Sequence, residues 1–454
     1  MRAAVTAAGL AAGLAAAVAA GLWAGLGSEL WPGDREVESS AAGAAPAPGA
    51  AAGSAAADEA SAPARQGAAE APSRAIAVVE CPVTFDEAGA ATGDDEHAAA
   101  LLEAANKAIG DGRFGEAWTC ADRAADLTPA SVEAHHLRGA ALAGLGRTAE
   151  AQLAYSLALA LDPDDPETLR AVADFYININ GKSERGRDGL RLGLELAQRG
   201  SRRVLARRRK APALAADLAL LEGQALNDLG RSDEALARID VALRHAPGRG
   251  DALHERGVAL FDLSRFADAR AAFEKAIALQ PDDAYTHQLM GLTLEQLGDG
   301  VGAERELAHA SRLAPGELAP PVLIPAAELR REMDAVIATL APERQARLAG
   351  VRLEVADLPD PADLAAVRPP FPPTILGLYR GPLGRAHARA EREPAASPLA
   401  PPSPPPSIVL YRKNLARAVK TRADLGTQIR ETLLHEIGHL EGLDEDDLRR
   451  RGMD

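Results

Sequence analysis

One feature narrows the choice of fold more than any other: prolines at 129 and 163, and again at 247, 281 and 315, are spaced by 34 residues within each group. That is the period of a helix-turn-helix unit, which cannot bury its apolar face alone and must stack on its neighbours. Small residues keep the same register. Gly139, Gly223, Gly257 and Gly291 recur at one position, and Ala117, Ala151, Ala235, Ala269 and Ala303 at another, where paired helices must come close. Tyr155, Ile239, Phe273 and Leu307 fill one bulkier position of the second helix, and the proline closes each unit because its ring cannot continue a helix. Composition agrees, since hydrophobic residues make up 47% of the chain but aromatics only 3%. The apolar content is therefore mainly Ala and Leu, which favour helix over strand.

From about Asp95 to Ala319 these residues resemble the tetratricopeptide repeat family. The resemblance implies a concave groove that takes an extended peptide or a partner protein, a docking surface rather than a place for chemistry. The plainer alternative is a spacer. The pattern departs between 163 and 247, where one degenerate unit (about Pro166 to Arg199, with Ala173 and Tyr176 in pattern) precedes a basic insertion at about 200–215. The superhelix is expected to break or be capped there. The basic run from Arg199 to Lys210 reads as a solvated helix face or loop, and a formal net charge of -15 argues against general affinity for nucleic acid.

At the N-terminus, Ala3 to Ser28 carries no charge and is long enough as a helix to cross a bilayer, so residues 1–32 read as a signal or membrane anchor. Arg2 on one side, with Glu29, Asp34, Glu36 and Glu38 on the other, would send the remainder outwards. The expectation is an exported protein of the cell envelope or periplasm, held by a single-helix membrane tether. Residues 33–75 are rich in Ala, Pro and Gly, a composition that cannot bury enough apolar surface to offset ordering, and read as a disordered linker. Cys81 and Cys120 exclude a cysteine-built metal site and leave two readings, one disulfide or two separate thiols.

With 454 residues, two or three units are expected, and the 34-residue period stops after Pro315. Residues 320–454 read as a short α+β unit: helical spacing over 326–340, β-prone runs at 351–355, 374–379 and 408–411, and a helix over 428–440. A Pro-rich stretch, 393–407, interrupts it as an irregular loop. The fold class is mainly α, a helical-repeat superhelix followed by a small α+β domain.

Within the last helix, His435 and His439 are four residues apart, face the same way and can take two coordination positions on one zinc ion. Glu436 is placed to act as general base for hydrolysis. Gly442 follows where the helix must stop and turn its chain back to the metal, which favours a residue tolerating positive φ. Spacing favours Glu445 as third ligand, with Asp444 and Asp446 as adjacent alternatives. Tyr379, Arg380, Tyr411 and Arg412 could clamp a substrate, but Tyr at a strand end more often packs; His387 lies in a loop and is a poor ligand candidate.

The HEIGHLEGLDE run, together with the blocks ILGLYRG at Ile375 to Gly381 and IVLYRKNL at Ile408 to Leu415, resembles the minimal zincin, metzincin-like domains of bacteria over about Ala326 to Gly452. The resemblance implies zinc at His435, His439 and Glu445 or its neighbour, with Glu436 as base. Two departures stand out: Leu440 occupies the place of a second histidine, and the Pro-rich stretch looks like an insertion. Larger metzincins place a methionine turn beneath the zinc; only nine residues follow Glu445 here and Met453 lies too near the end to supply one, so a site floor built otherwise is expected. Two functions are weighed: a zinc metallopeptidase whose repeats recruit a protein, and a non-enzymatic scaffold whose zinc domain is structural or a binding module.

Overall fold

A computed structural model describes residues 79–83, 94–180, 186–206, 211–381 and 405–451. The expectations for 1–32 and 33–75, for His387 and for most of the Pro-rich loop lie outside the described residues. The exported, membrane-anchored placement is corrected: no helix among the described residues is long and apolar enough to cross a membrane. The longest, α6 (Gly186–Ala206), carries charged residues along its whole length, from Arg187 to Arg203. Neither a tether nor export has support in the fold.

The described residues from 94 to 313 form six antiparallel helix pairs: α1 (Asp94–Gly110) with α2 (Phe114–Leu127), α3 (Val132–Gly144) with α4 (Thr148–Leu161), α5 (Pro166–Asp174) with α6, α7 (Pro212–Asp228) with α8 (Ser232–His245), α9 (Gly250–Asp262) with α10 (Phe266–Leu279), and α11 (Ala284–Gln296) with α12 (Gly300–Leu313). The repeated glycines explain the pairing. A Cβ on Gly139 would sit 2.6 Å from the Tyr155 ring and one on Gly291 2.6 Å from Leu307, so the small position of the first helix receives the large side chain of the second. The same match joins Gly223 to Ile239 and Gly257 to Phe273.

The degenerate unit departs as its sequence suggests but does not break the stack. Phe175–Asn180 continues α5 as a π-helix, and the pair is inverted: Gly193 on the second helix faces Ile177 on the first. One apolar core, from Leu142 through Leu169, Leu194 and Leu218 to Ala259, runs through it without interruption. The expected break is therefore absent among the described residues. Part of the basic run belongs to α6, where Arg199 and Arg203 both hold Asp164 at the preceding turn.

The two cysteines form a disulfide, which pins the 79–83 segment along α2. Thr119 Oγ1 donates to the Val79 carbonyl at 2.8 Å, and Arg123 to that of Val83 at 3.0 Å.

After α12 an extended stretch leads to α13 (Ala326–Ala338) and α14 (Pro342–Arg347), then to a three-stranded sheet of order β1-β3-β2, with β1 at Arg352–Ala356, β2 at Gly377–Arg380 and β3 at Ser407–Tyr411. A short helix, α15 (Pro361–Leu364), lies between β1 and β2. β3 runs parallel to β1 (Leu353 opposite Ile408) and antiparallel to β2 (Tyr379 opposite Ile408). Every residue of β3 is buried, which accounts for an unbroken apolar run where a half-exposed strand would alternate. Ile408 and Leu410 pack with Leu329 and Met333 of α13 and with α17 (Arg422–Leu440), while Val409 and Tyr411 share a core with Phe261, Phe266 and Met290 of the last repeats. Between β3 and α17 lies α16 (Arg412–Ala418), and α18 (Glu445–Arg450) follows α17.

The turns between paired helices carry a signal the spacing argument overlooked. Gly112, Gly146, Gly230 and Gly298 have φ of +72°, +73°, +72° and +81°, and the corresponding place in the fifth pair is Ser264 at +56°. Its hydroxyl is buried without a hydrogen-bond partner. A residue with a Cβ pays for this left-handed conformation. Replacing Ser264 by Gly is expected to raise stability by about 0.5–1 kcal/mol, seen as a higher denaturation midpoint at unchanged slope; an unchanged or lowered midpoint would contradict the strain described.

Candidate metal centre

The helix that bears the motif starts from a reciprocal cap. Asp424 N–H donates to Thr421 Oγ1 at 3.3 Å, and the Asp424 carboxylate accepts from Thr421 N–H at 3.1 Å. From there Leu425, Ile429, Leu433 and Ile437 recur every four residues and are buried, which anchors one face of α17 in the core. That anchoring sets the direction of the remaining side chains. His435 and His439 come out together, half-buried, with ring centroids 4.8 Å apart and planes at 83°. Their Nε2 atoms lie 3.1 Å from one another.

Such a separation suits a shared cation, because two zinc–imidazole bonds at a near-tetrahedral angle put the nitrogens roughly 3.3 Å apart. The orientation of His439 is fixed from behind: Nδ1 lies 3.1 Å from the Leu443 carbonyl, so it carries the proton and Nε2 keeps its lone pair. The carbonyl reaches this place because α17 ends in a tight reversal. Leu443 N–H donates to Gly438 O at 3.0 Å and Gly442 N–H to His439 O at 2.9 Å, with Gly442 at φ +87° as the motif spacing anticipated.

Glu436 is buried against β2. Its Oε2 accepts a hydrogen bond from the Tyr379 backbone N–H at 2.7 Å. The approach depends on Gly377, where a Cβ would stand 2.8 Å from Thr432 Cγ2 and 3.3 Å from Glu436 Cγ. These backbone contributors, the Tyr379 N–H and the Leu443 carbonyl, leave no side-chain signal by which the sequence could have revealed them.

The acidic candidates separate. Asp444 is exposed and its Oδ1 accepts from Asp447 N–H at 2.8 Å, so it caps α18. Glu445 is the first residue of α18, but its side chain and that of Asp446 lie outside the described residues. Among the described residues no group of three or more His, Cys, Asp and Glu side chains could hold a metal; the two imidazoles fit the role of a ligand pair.

Of the four clamp candidates, Arg380, Arg412 and Tyr411 are held by carboxylates of their own unit, and Tyr379 is buried. Arg380 bridges Asp363 (2.9 Å from Nε) and Glu354 (3.1 Å), and Arg412 holds Asp357 at 2.7 Å, keeping that carboxyl below its usual range. Burial, then the neighbouring Asp363 charge, pushes the Tyr411 phenol up, and its hydroxyl donates to Asp363 at 3.3 Å. Burial likewise raises the Tyr379 phenol.

A family model for zincin-like metallopeptidases matches residues 348–453, and models of the tetratricopeptide repeat match 132–165, 220–284 and 254–317. The chain carries tetratricopeptide repeats and a C-terminal zincin-like metallopeptidase domain. The Hsp70-Hsp90 organizing protein of Triticum aestivum is 34% identical over 88 residues, and the match spans 19% of this chain and 15% of that relative's length. Among solved structures, Pseudomonas aeruginosa pilF is 17% identical, covering 50% of this chain and 95% of that one with a TM-score of 0.42. PilW, described as a type IV pilus biogenesis factor, is 18% identical, covering 49% and 96% with a TM-score of 0.42. The zincin-like match contains β1 to β3 and all of α17, including His435 and His439.

The reversal at Gly442 offers a direct check. Gly442→Ala places a Cβ in the left-handed region and is expected to cost about 1–2 kcal/mol, whereas Gly442→Asn, which tolerates that region, should cost less. Equal denaturation midpoints for Ala and wild type would show that the turn is not built as described.

Proposed function

We propose that this protein is a zinc-dependent metallopeptidase that hydrolyses peptide bonds in a partner delivered by its repeat array. The observation that carries the reading is the convergence of the His435 and His439 Nε2 atoms, 3.1 Å apart, on the helix that also carries Glu436. The zincin-like family usually uses zinc, and its match over 348–453 supports the same assignment. In this reading residues 320–454 are the catalytic unit and 95–319 the docking array, an extended peptide or protein lying in the repeat groove.

His435 and His439 are two of the zinc ligands, and Glu445, the first residue of α18 after the reversal at Gly442, is the third. A zinc ion held there supplies Lewis acidity towards a peptide carbonyl and makes a neighbouring water easier to deprotonate. Glu436 accepts that proton on its carboxyl group, which the Tyr379 N–H holds in place through Oε2. The hydrogen bond spares Glu436 any reorientation during the transfer.

A second reading draws on the same bond: Glu436 is 5% exposed and tied to β2, as a purely structural carboxylate would be. In that case the repeats do the work and the zincin-like unit is a metal-stabilised scaffold. Glu436→Gln, which preserves shape and the acceptor for Tyr379, separates the two. The peptidase reading expects bound zinc to be retained while cleavage of a mixed peptide pool falls by about 10²–10⁴-fold; zinc loss in Glu445→Ala, but not in Asp444→Ala, identifies the third ligand. Undiminished cleavage in Glu436→Gln, or a wild-type protein that takes up no zinc, overturns it.

A further inference from the structure

The array and the C-terminal unit meet through an ion cluster that neither contains alone. Glu295, near the end of α11 in the last helix pair, has only 8% of its side chain exposed, yet it meets two cations of α16. Lys413 Nζ lies 3.0 Å from Oε1 and Arg417 Nη2 2.6 Å from Oε2. The Arg417 side chain is 11% exposed, and its Nη1 is buried without an acceptor. Glu295 is thus the main compensation for a guanidinium withdrawn from water, and removing it would strand a buried cation.

What α16 holds gives the cluster its reach. The Ala416 carbonyl accepts from Val322 N–H at 3.0 Å, Arg412 donates to the Ile324 carbonyl at 2.9 Å, and Asn414 donates to the carbonyls of Pro373 and Ile375 at 3.0 and 2.7 Å. The short helix therefore ties together the chain entering the C-terminal unit and the approach to β2, and three residues later its own chain opens α17 at the Thr421 cap. The apolar contacts run the same way, since Val409 and Tyr411 of β3 share their core with Phe261, Phe266 and Met290 of the array.

We infer that Glu295 is a positioning residue for the metal helix, supplied by the repeat array: by clamping Arg417 and Lys413 it fixes α16, and through α16 the start of α17 and the approach of β2 to Glu436. The order of the candidate metal centre then depends on the last repeat. The inference deepens the metallopeptidase reading, but the clamp is tested without zinc or substrate.

The test is hydrogen exchange on the full chain without metal, comparing wild type, Glu295→Gln, Glu295→Leu and the double variant Glu295→Leu/Arg417→Leu. The expected result is loss of protection in residues 412–440 and 377–380 for both single variants, with residues 94–161 unchanged, and recovery in the double variant, where the buried guanidinium is gone and Lys413, 31% exposed, turns to water. If Glu295→Leu does not fold, the milder Glu295→Gln carries the same comparison. Loss confined to α11 and α12, or spread evenly over the array, would reduce Glu295 to a stabiliser of its own repeat and overturn the inference. A zinc titration of Glu295→Gln adds a second readout, with affinity expected to fall roughly tenfold, as for other groups that orient ligands from behind. A protein that binds no zinc in any form defeats the peptidase reading alone, because the exchange data still decide the clamp.

Discussion

A central strand buried on both faces is the constraint from which the rest of the C-terminal half follows. β3 has no solvent side: Ile408 and Leu410 require α13 and α17, and Val409 and Tyr411 require the last repeats. A three-stranded sheet alone could not supply both covers, so the array is a wall of the domain as well as its neighbour. The direction of the two imidazoles follows in turn, because α17 is oriented by what it buries.

The array solves its own packing problem differently. Five of the six pairs set a glycine against a large side chain, and the match holds even where the order is exchanged at Ile177 and Gly193. This accounts for continuity through the degenerate unit: the period fails in the letters but the volume match holds. It also explains why the degenerate unit and its basic insertion suggest a break that the packing does not contain.

Much of the fold was legible because it rests on period. The repeats from Ala117 to Leu307 stand where spacing put them, the helix bearing His435 and His439 starts at Arg422, six residues before the expected 428, and the strand ends differ from expectation by up to three residues. Gly442 turns as the motif demanded. What sequence could not disclose was carried by backbone groups and long-range contacts: the Tyr379 N–H on Glu436, the Leu443 carbonyl on His439, and Glu295 reaching α16 across more than a hundred residues. None of these has a local pattern. The membrane placement went astray for a different reason, since it rested on apolar length at 3–28, a segment outside the described residues, while the described helices are all charged or too short.

The disulfide has a mechanical consequence. Because Cys81 is joined covalently to Cys120 in the middle of α2, tension applied to the chain ahead of Val79 enters the superhelix at α2 rather than at α1. The segment between them, which includes the whole of α1, is shielded from load, and a pull that would peel a helical array from its first helix must instead break a covalent bond or dislodge an inner helix.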